Sequence, residues 1–114
     1  MRKTVQCVVA YPATLPWGAS TKFDLEYYLK THMALIDKYW GPYGLKSWEV
    51  NEGLEGDGIR PRYIIQATLQ FESMEGLLAA LAAPETNKTR ADIFNYTNVE
   101  PEIWVLKEVG RSMI

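Results

Sequence analysis

The chain has 114 residues and a formal net charge of −2, from 12 basic and 14 acidic side chains. Its 47% hydrophobic and 23% charged residues describe one folded domain over residues 1–114 with a modest core, and exclude a disordered chain. No basic run offers itself to a phosphate backbone, and no apolar run approaches the roughly 20 residues of a bilayer span, so neither nucleic acid nor membrane is expected as a partner.

The start, MRKTVQCVVAYP, superficially resembles a signal peptide, but its apolar part is short and contains Gln6. Lys3 to Tyr11 is rich in β-branched residues and predicts a first strand, with Val5, Cys7 and Val9 on one face and Val8 and Ala10 on the other. Cys7 is the single cysteine. It cannot form an internal disulfide, reads as a small buried hydrophobe rather than a nucleophile, and fits the reducing cytoplasm, the expected location. Pro12 and Pro16 break the strand.

A first helix starts near Asp24, an N-cap flanked by a hydrophobic staple of Phe23 and Tyr28. Its inward stripe is Leu25, Tyr28, Leu29, His32, Leu35, Ile36 and Tyr39. Glu26 and Lys30 form an outward pair, and Gly41-Pro42 ends the helix, with Gly44 completing the turn. The only histidine, His32, sits mid-stripe where an aliphatic residue would be the plain choice.

Leu45 to Glu52 predicts a second strand, and Gly53, Gly56, Gly58 and Pro61 a flexible hairpin rather than a phosphate cradle. Tyr63 to Phe71 is the clearest strand: Tyr63, Ile65, Ala67, Leu69 and Phe71 face one way, Ile64, Gln66, Thr68 and Gln70 the other. Ser73 caps a second helix with the stripe Met74, Leu77, Leu78 and Leu81, stopped by Pro84. Glu85 to Pro101 reads as irregular, although Asp92 to Asn98 is unusually aromatic and amide-rich for a linker. Glu102 to Val109 predicts a last strand.

The order β-α-β-β-α-β gives an α+β, ferredoxin-like fold: a four-stranded antiparallel sheet with two helices on one face. The other face would carry Val8, Ala10, Ile64, Trp104 and Leu106, too apolar to leave in water. A second copy packed face to face by two-fold symmetry answers that, so a homodimer is expected.

The stretches Phe23 to Tyr28, Thr31-His32-Met33 and Trp40 to Ser47 together resemble the EthD family, small proteins of the dimeric α+β barrel superfamily named for a component of an ethyl tert-butyl ether degradation system. Asp92 to Pro101 is similar to the loop before that family's last strand, and Leu69 to Ser73 to its approach to the second helix. Ala34 departs from the pattern, where the family usually has proline after His-Met. The resemblance implies a dimeric α+β barrel with ligands bound between the sheet and its own helices. It implies little about chemistry, since wider relatives include cofactor-free monooxygenases, polyketide cyclases, lactone isomerases and haem enzymes.

His32 has two readings: a neutral core histidine bonded to a backbone carbonyl or to Tyr28, or a cavity-lining acid/base. In the second, Tyr28 orients His32 or bonds the substrate, Trp48, Tyr63 and Phe94 supply apolar walls, and Asn95 or Asn98 binds an oxygen. Tyr11 and Trp40 read as packing. Zinc needs about three or four ligands, and one histidine and one cysteine do not supply them. Haem ligation by His32 alone conflicts with the crowded stripe. No cofactor is expected, and the ligand is a small apolar or aromatic molecule of catabolism or secondary metabolism. Three functions stay open: cofactor-independent oxygenation, isomerisation or dehydration; a non-catalytic accessory that binds ligand for an oxygenase; and a purely structural dimer.

Overall fold

The computed structural model describes residues 4–114, so Lys3 of the expected first strand lies outside the described residues. The strands are β1 (Val5–Pro12), β2 (Leu45–Glu52), β3 (Tyr63–Phe71) and β4 (Glu102–Lys107). They form one antiparallel sheet in the order β2-β3-β1-β4, the ferredoxin-like α+β arrangement expected from the element order. Between β1 and β2 runs a composite helix of α1 (Leu25–Tyr27), a π turn (Tyr28–His32) and α2 (Met33–Trp40). Between β3 and β4 lie α3 (Met74–Ala82) and α4 (Thr86–Asp92). The core is the layer between helices and sheet, where Cys7, Tyr11, Ile65, Leu69 and Phe71 meet Tyr28, Met33, Ile36, Trp40 and Leu77. Full burial of each large apolar side chain contributes on the order of 1.5–3 kcal/mol.

The composite helix begins as its sequence dictates. Asp24 Oδ1 accepts from the Tyr27 amide at 3.1 Å, and the Phe23 and Tyr28 rings meet edge to face at 5.1 Å. Lys30 and Glu26 pair at 2.9 Å on the outer side. Then the helix departs from the expected periodicity. The Met33 amide bonds the Tyr28 carbonyl five residues back, so the turn holds one residue more than an α turn. Beyond it the buried positions are Met33, Ile36 and Trp40 rather than the expected Leu35, Ile36 and Tyr39. Ile36 stays buried, Met33 and Trp40 become buried, Leu29 stands 41% exposed, and Tyr39 is only half-buried. The α-helix ends at Trp40, before Gly41-Pro42 as expected, and a 3-10 turn over Gly41–Tyr43 follows it. The left-handed residue that ends it is Gly44, at φ +98°.

Three other expectations are corrected. Glu85 to Pro101 is not irregular throughout, because α4 and a 3-10 turn (Ile93–Asn95) occupy its centre and add a third helix. The α4 sequence, TNKTRAD, has no apolar period to betray a helix; tertiary bonds hold it, Trp40 Nε1 donating to Thr86 Oγ1 at 2.9 Å. In α3 the Ser73 cap forms, its Oγ accepting from the Gly76 amide at 3.1 Å, but the buried positions are Leu77 and Ala80, while Met74 and Leu78 face solvent. The last strand stops at Lys107 rather than Val109.

The register of β1 on β3 shifts between Tyr11 and Pro12, and this irregularity exchanges two faces. Ile64 packs on the core, whereas Tyr63 turns to the helix-free face, touching Trp104 and donating to Glu102 Oε1 at 3.0 Å. That face is therefore apolar along β1 and β4, at Val8, Ala10, Trp104 and Leu106, and polar along β2 and β3, at Ser47, Glu49, Gln66, Thr68 and Gln70. Val8 and Ala10 are already buried within the single chain, while Leu106 stays 45% exposed.

Candidate functional site

The π turn brings His32 and Met33 to the sheet side together, and His32 is 5% exposed. Its Nδ1 lies 3.0 Å from Asp92 Oδ2 at the end of α4. A carboxylate only accepts, so Nδ1 carries the proton and donates. The other oxygen, Asp92 Oδ1, accepts from the Tyr27 hydroxyl at 2.6 Å and from Asn95 Nδ2 at 2.9 Å. Asp92 is thereby fixed by Tyr27 and His32 of the composite helix and by Asn95 of the turn that follows α4.

Nε2 is then the lone-pair nitrogen. The nearest donor is the Tyr96 hydroxyl at 3.4 Å, a long contact, and Tyr96 in turn lies 2.6 Å from the Tyr11 hydroxyl. Proton bookkeeping directs the chain from Tyr11 to Tyr96 to Nε2. Tyr28 stacks on the imidazole, with ring centroids 5.4 Å apart and planes 14° from parallel. Phe23 closes the cluster against Tyr11, Tyr28 and Tyr96.

The electrostatics follow from this burial. Burial pushes the His32 imidazole below its ordinary value of 6.5, and Asp92 opposes that shift without reversing it. Burial alone would push the Asp92 carboxyl up, but the bonds from Tyr27, Asn95 and His32 and the charge of His32 hold it below its ordinary range. Burial also drives the hydroxyls of Tyr11, Tyr28 and Tyr96 well above the usual phenol range. At neutral pH the site holds an ionised Asp92, a neutral His32 whose Nε2 meets only the long contact from Tyr96, and protonated tyrosines. Cys7 is fully buried, its thiol pushed up to about 11, and takes no part.

A cavity of about 60 Å³ opens beside this group between the composite helix, the sheet and α4. Tyr11, Tyr28 and His32 form its polar wall, while Met33, Ile36, Trp40 and Leu69 line its apolar side. Ile93, Pro101 and Ile103 flank it, with Arg90. About 150 Å³ is needed to hold a benzene ring, so the enclosed space takes an alkyl group or the end of a larger molecule.

Of the residues proposed from sequence, His32 and Tyr28 reach the cavity and Asn95 reaches it indirectly, through Asp92. The others stand elsewhere. Trp48 bridges β2 to α2 by donating to Asp37 Oδ1 at 2.7 Å. Tyr63 is on the opposite face of the sheet, and Phe94 is 68% exposed. Asn98 accepts from the Lys22 amide at 2.9 Å and ties two loops together. Tyr11 and Trp40 do pack in the core, but both also line the cavity, and Tyr11 heads the hydroxyl chain. Asp92, Tyr96 and Tyr27 were not singled out from sequence. For Asp92 and Tyr96 the one signal is the aromatic, amide-rich run from Asp92 to Asn98; Tyr27 lies in the stretch Phe23 to Tyr28.

No family model matches the chain, and no curated protein matches it. Solved structures do. An EthD-like protein from Ralstonia eutropha is 25% identical with a TM-score of 0.81, over 98% of each chain. An ethyl tert-butyl ether degradation family protein from Bacillus halodurans is 18% identical with a TM-score of 0.68, over 93% of this chain and 99% of its own. A dimeric ferredoxin-like protein of unknown function from Thermobifida fusca is 10% identical with a TM-score of 0.55, over 95% of this chain and 93% of its own. No helix among the described residues is long and apolar enough to cross a membrane. In fold, over 98% and 93% of its chain, this protein is similar to these two EthD-type structures.

Proposed function

We propose that the protein takes a small, largely apolar organic molecule into the cavity between helices and sheet, where His32 acts as a cofactor-independent general acid/base. The observation that carries this reading is the fixed tautomer. Asp92 holds the Nδ1 proton, and Nε2 is left with only a 3.4 Å contact beside the cavity. A histidine serving only the core would have both nitrogens committed at full strength.

The chemistry is proton transfer. Nε2 takes a proton from a carbon or oxygen of the ligand, and the electron pair released moves into an adjacent carbonyl. Asp92 stabilises the imidazolium that forms, as carboxylates do behind catalytic histidines. The Tyr11 hydroxyl proton is committed to Tyr96, which leaves the Tyr11 oxygen on the cavity wall as an acceptor. Tyr28 keeps the imidazole in plane. Isomerisation, dehydration and oxygenation by molecular oxygen can all begin with this step.

A second copy is proposed to cover the helix-free sheet face through Trp104 and Leu106, since similar structures are described as dimeric. The whole chain is read as one EthD-like domain.

Hydrogen–deuterium exchange at the acidic carbon of small ketones and keto acids tests the reaction. The protein should accelerate exchange, and His32→Gln should abolish the acceleration while keeping ligand affinity. Tight binding without accelerated exchange would instead favour a carrier that delivers its ligand to an oxygenase.

A further inference from the structure

Arg90 occupies the last turn of α4 and lines the cavity at an exposed position. Among the described residues it has no hydrogen bond, ion pair or aromatic partner. Lys30 pairs with Glu26, Arg111 with Glu108, Lys88 lies over Tyr39 and Arg62 over Tyr63; Lys22, Lys46, Arg60 and Lys107 also lack a side-chain partner among the described residues, but none of them lines the cavity. The carboxylate nearest in sequence, Asp92, is two positions on and does not share Arg90's side of the helix. Its oxygens are held by Tyr27, Asn95 and His32. Arg90 is thus the one lining side chain with a full charge at neutral pH, set on a wall that is otherwise apolar, hydroxyl or neutral imidazole.

We infer that Arg90 selects for an anionic ligand, and that the substrate class is a small organic acid with an apolar body. This rests on the cavity being a ligand site, as proposed above. The guanidinium fork matches a carboxylate in two parallel bonds, and an exposed rim is where such a group stays hydrated until it docks. A cavity of about 60 Å³ admits a short alkyl body but not a hydrated carboxylate as well, so the two ends of the ligand divide between cavity and rim. The apolar end then lies against His32 and Tyr11, with the charged end outside at Arg90.

Matched pairs of short carboxylates and their primary amides, propionate to valerate against propionamide to valeramide, test this on the full chain. Affinities are read from the imidazole NMR signals of the only histidine. Carboxylates should bind roughly five- to tenfold more tightly than their amides. Arg90→Gln, exposed and with the stem retained, should erase that preference and leave amide affinity unchanged; Arg90→Lys should restore part of it. Equal binding of acid and amide by the natural protein, or a preference that survives in Arg90→Gln, would overturn the role of Arg90 while leaving the cavity a ligand site. If neither series moves the imidazole signals, the ligand site itself falls, and the role of Arg90 with it.

Discussion

His32 Nδ1 and Asp92 Oδ2, 60 positions apart in sequence, meet at 3.0 Å with both side chains at most 10% exposed. One comes from the π turn of the first helix, the other from the end of a seven-residue helix with no hydrophobic period. Each depends on the other for its state. The carboxylate fixes the tautomer, and the imidazole N–H helps keep the carboxylate ionised.

Asp92→Asn should therefore act on His32 before anything else. It removes the charge that opposes the effect of burial, so the imidazole should titrate at still lower pH than in the natural protein. Proton exchange on a bound ligand should slow by about a hundredfold, the usual range for disabling an acid/base pair. NMR titration of the ring and an exchange assay read the two effects separately.

The pH dependence of stability has a definite sign. His32 folds with its affinity for protons lowered below the ordinary 6.5, so the unfolded chain binds more protons in the acid range. The stabilising contribution is complete above pH 6.5 and is lost as pH falls from there through the folded value. Asp92, lowered from 3.8, adds a second loss as pH falls below that figure through its folded value. Thermal midpoints from pH 8 to pH 5 should fall in the natural protein and stay flatter in His32→Gln.

The Tyr11–Tyr96 hydroxyl pair should show non-additive mutagenesis. Tyr11→Phe or Tyr96→Phe alone leaves a buried hydroxyl short of its partner, at about 1–2 kcal/mol each. The double variant removes both groups and should cost less than the sum of the singles. Denaturant unfolding of the four proteins completes the cycle.

Most of the fold was legible in the sequence because it rests on period and caps. The alternation of β3, the Asp24 and Ser73 caps and the Phe23–Tyr28 staple each act locally. What escaped has a non-local or single-residue cause. One extra residue in the π turn moved the buried stripe onto Met33 and Trp40, and one register shift at Pro12 carried Tyr63 off the core face. The helix α4 carries too little apolar pattern to announce itself, and it is α4 that supplies Asp92 and Arg90. The histidine could be read from its place on the stripe, but its carboxylate partner could not, because only the packing of α4 on α2 brings them together.

The π turn itself can be tested by deletion. Removing Lys30, an exposed residue whose partner is Glu26, restores an α turn while keeping Met33, Ile36 and Trp40 on the core side. The fold should survive. Tyr27 and Tyr28, which precede the deletion, should rotate relative to His32, loosening the Tyr27 bond to Asp92 and the Tyr28 stack on the imidazole.

The proposed pairing of sheets gives a simpler outcome. Leu106→Glu puts a charge on an outer-face position that is 45% exposed within one chain. It should leave folding intact within about 0.5 kcal/mol and shift the protein from dimer to monomer in sedimentation.

The most direct test of the central claim is a pH titration of the single imidazole by NMR, alone and with a saturating small carboxylate. A ring that titrates below 6.5 with the proton on Nδ1, and whose titration moves when the carboxylate is present, is the predicted result. A ring that carries its proton on Nε2, or that titrates identically with and without every ligand offered, would contradict an oriented base beside an accessible cavity.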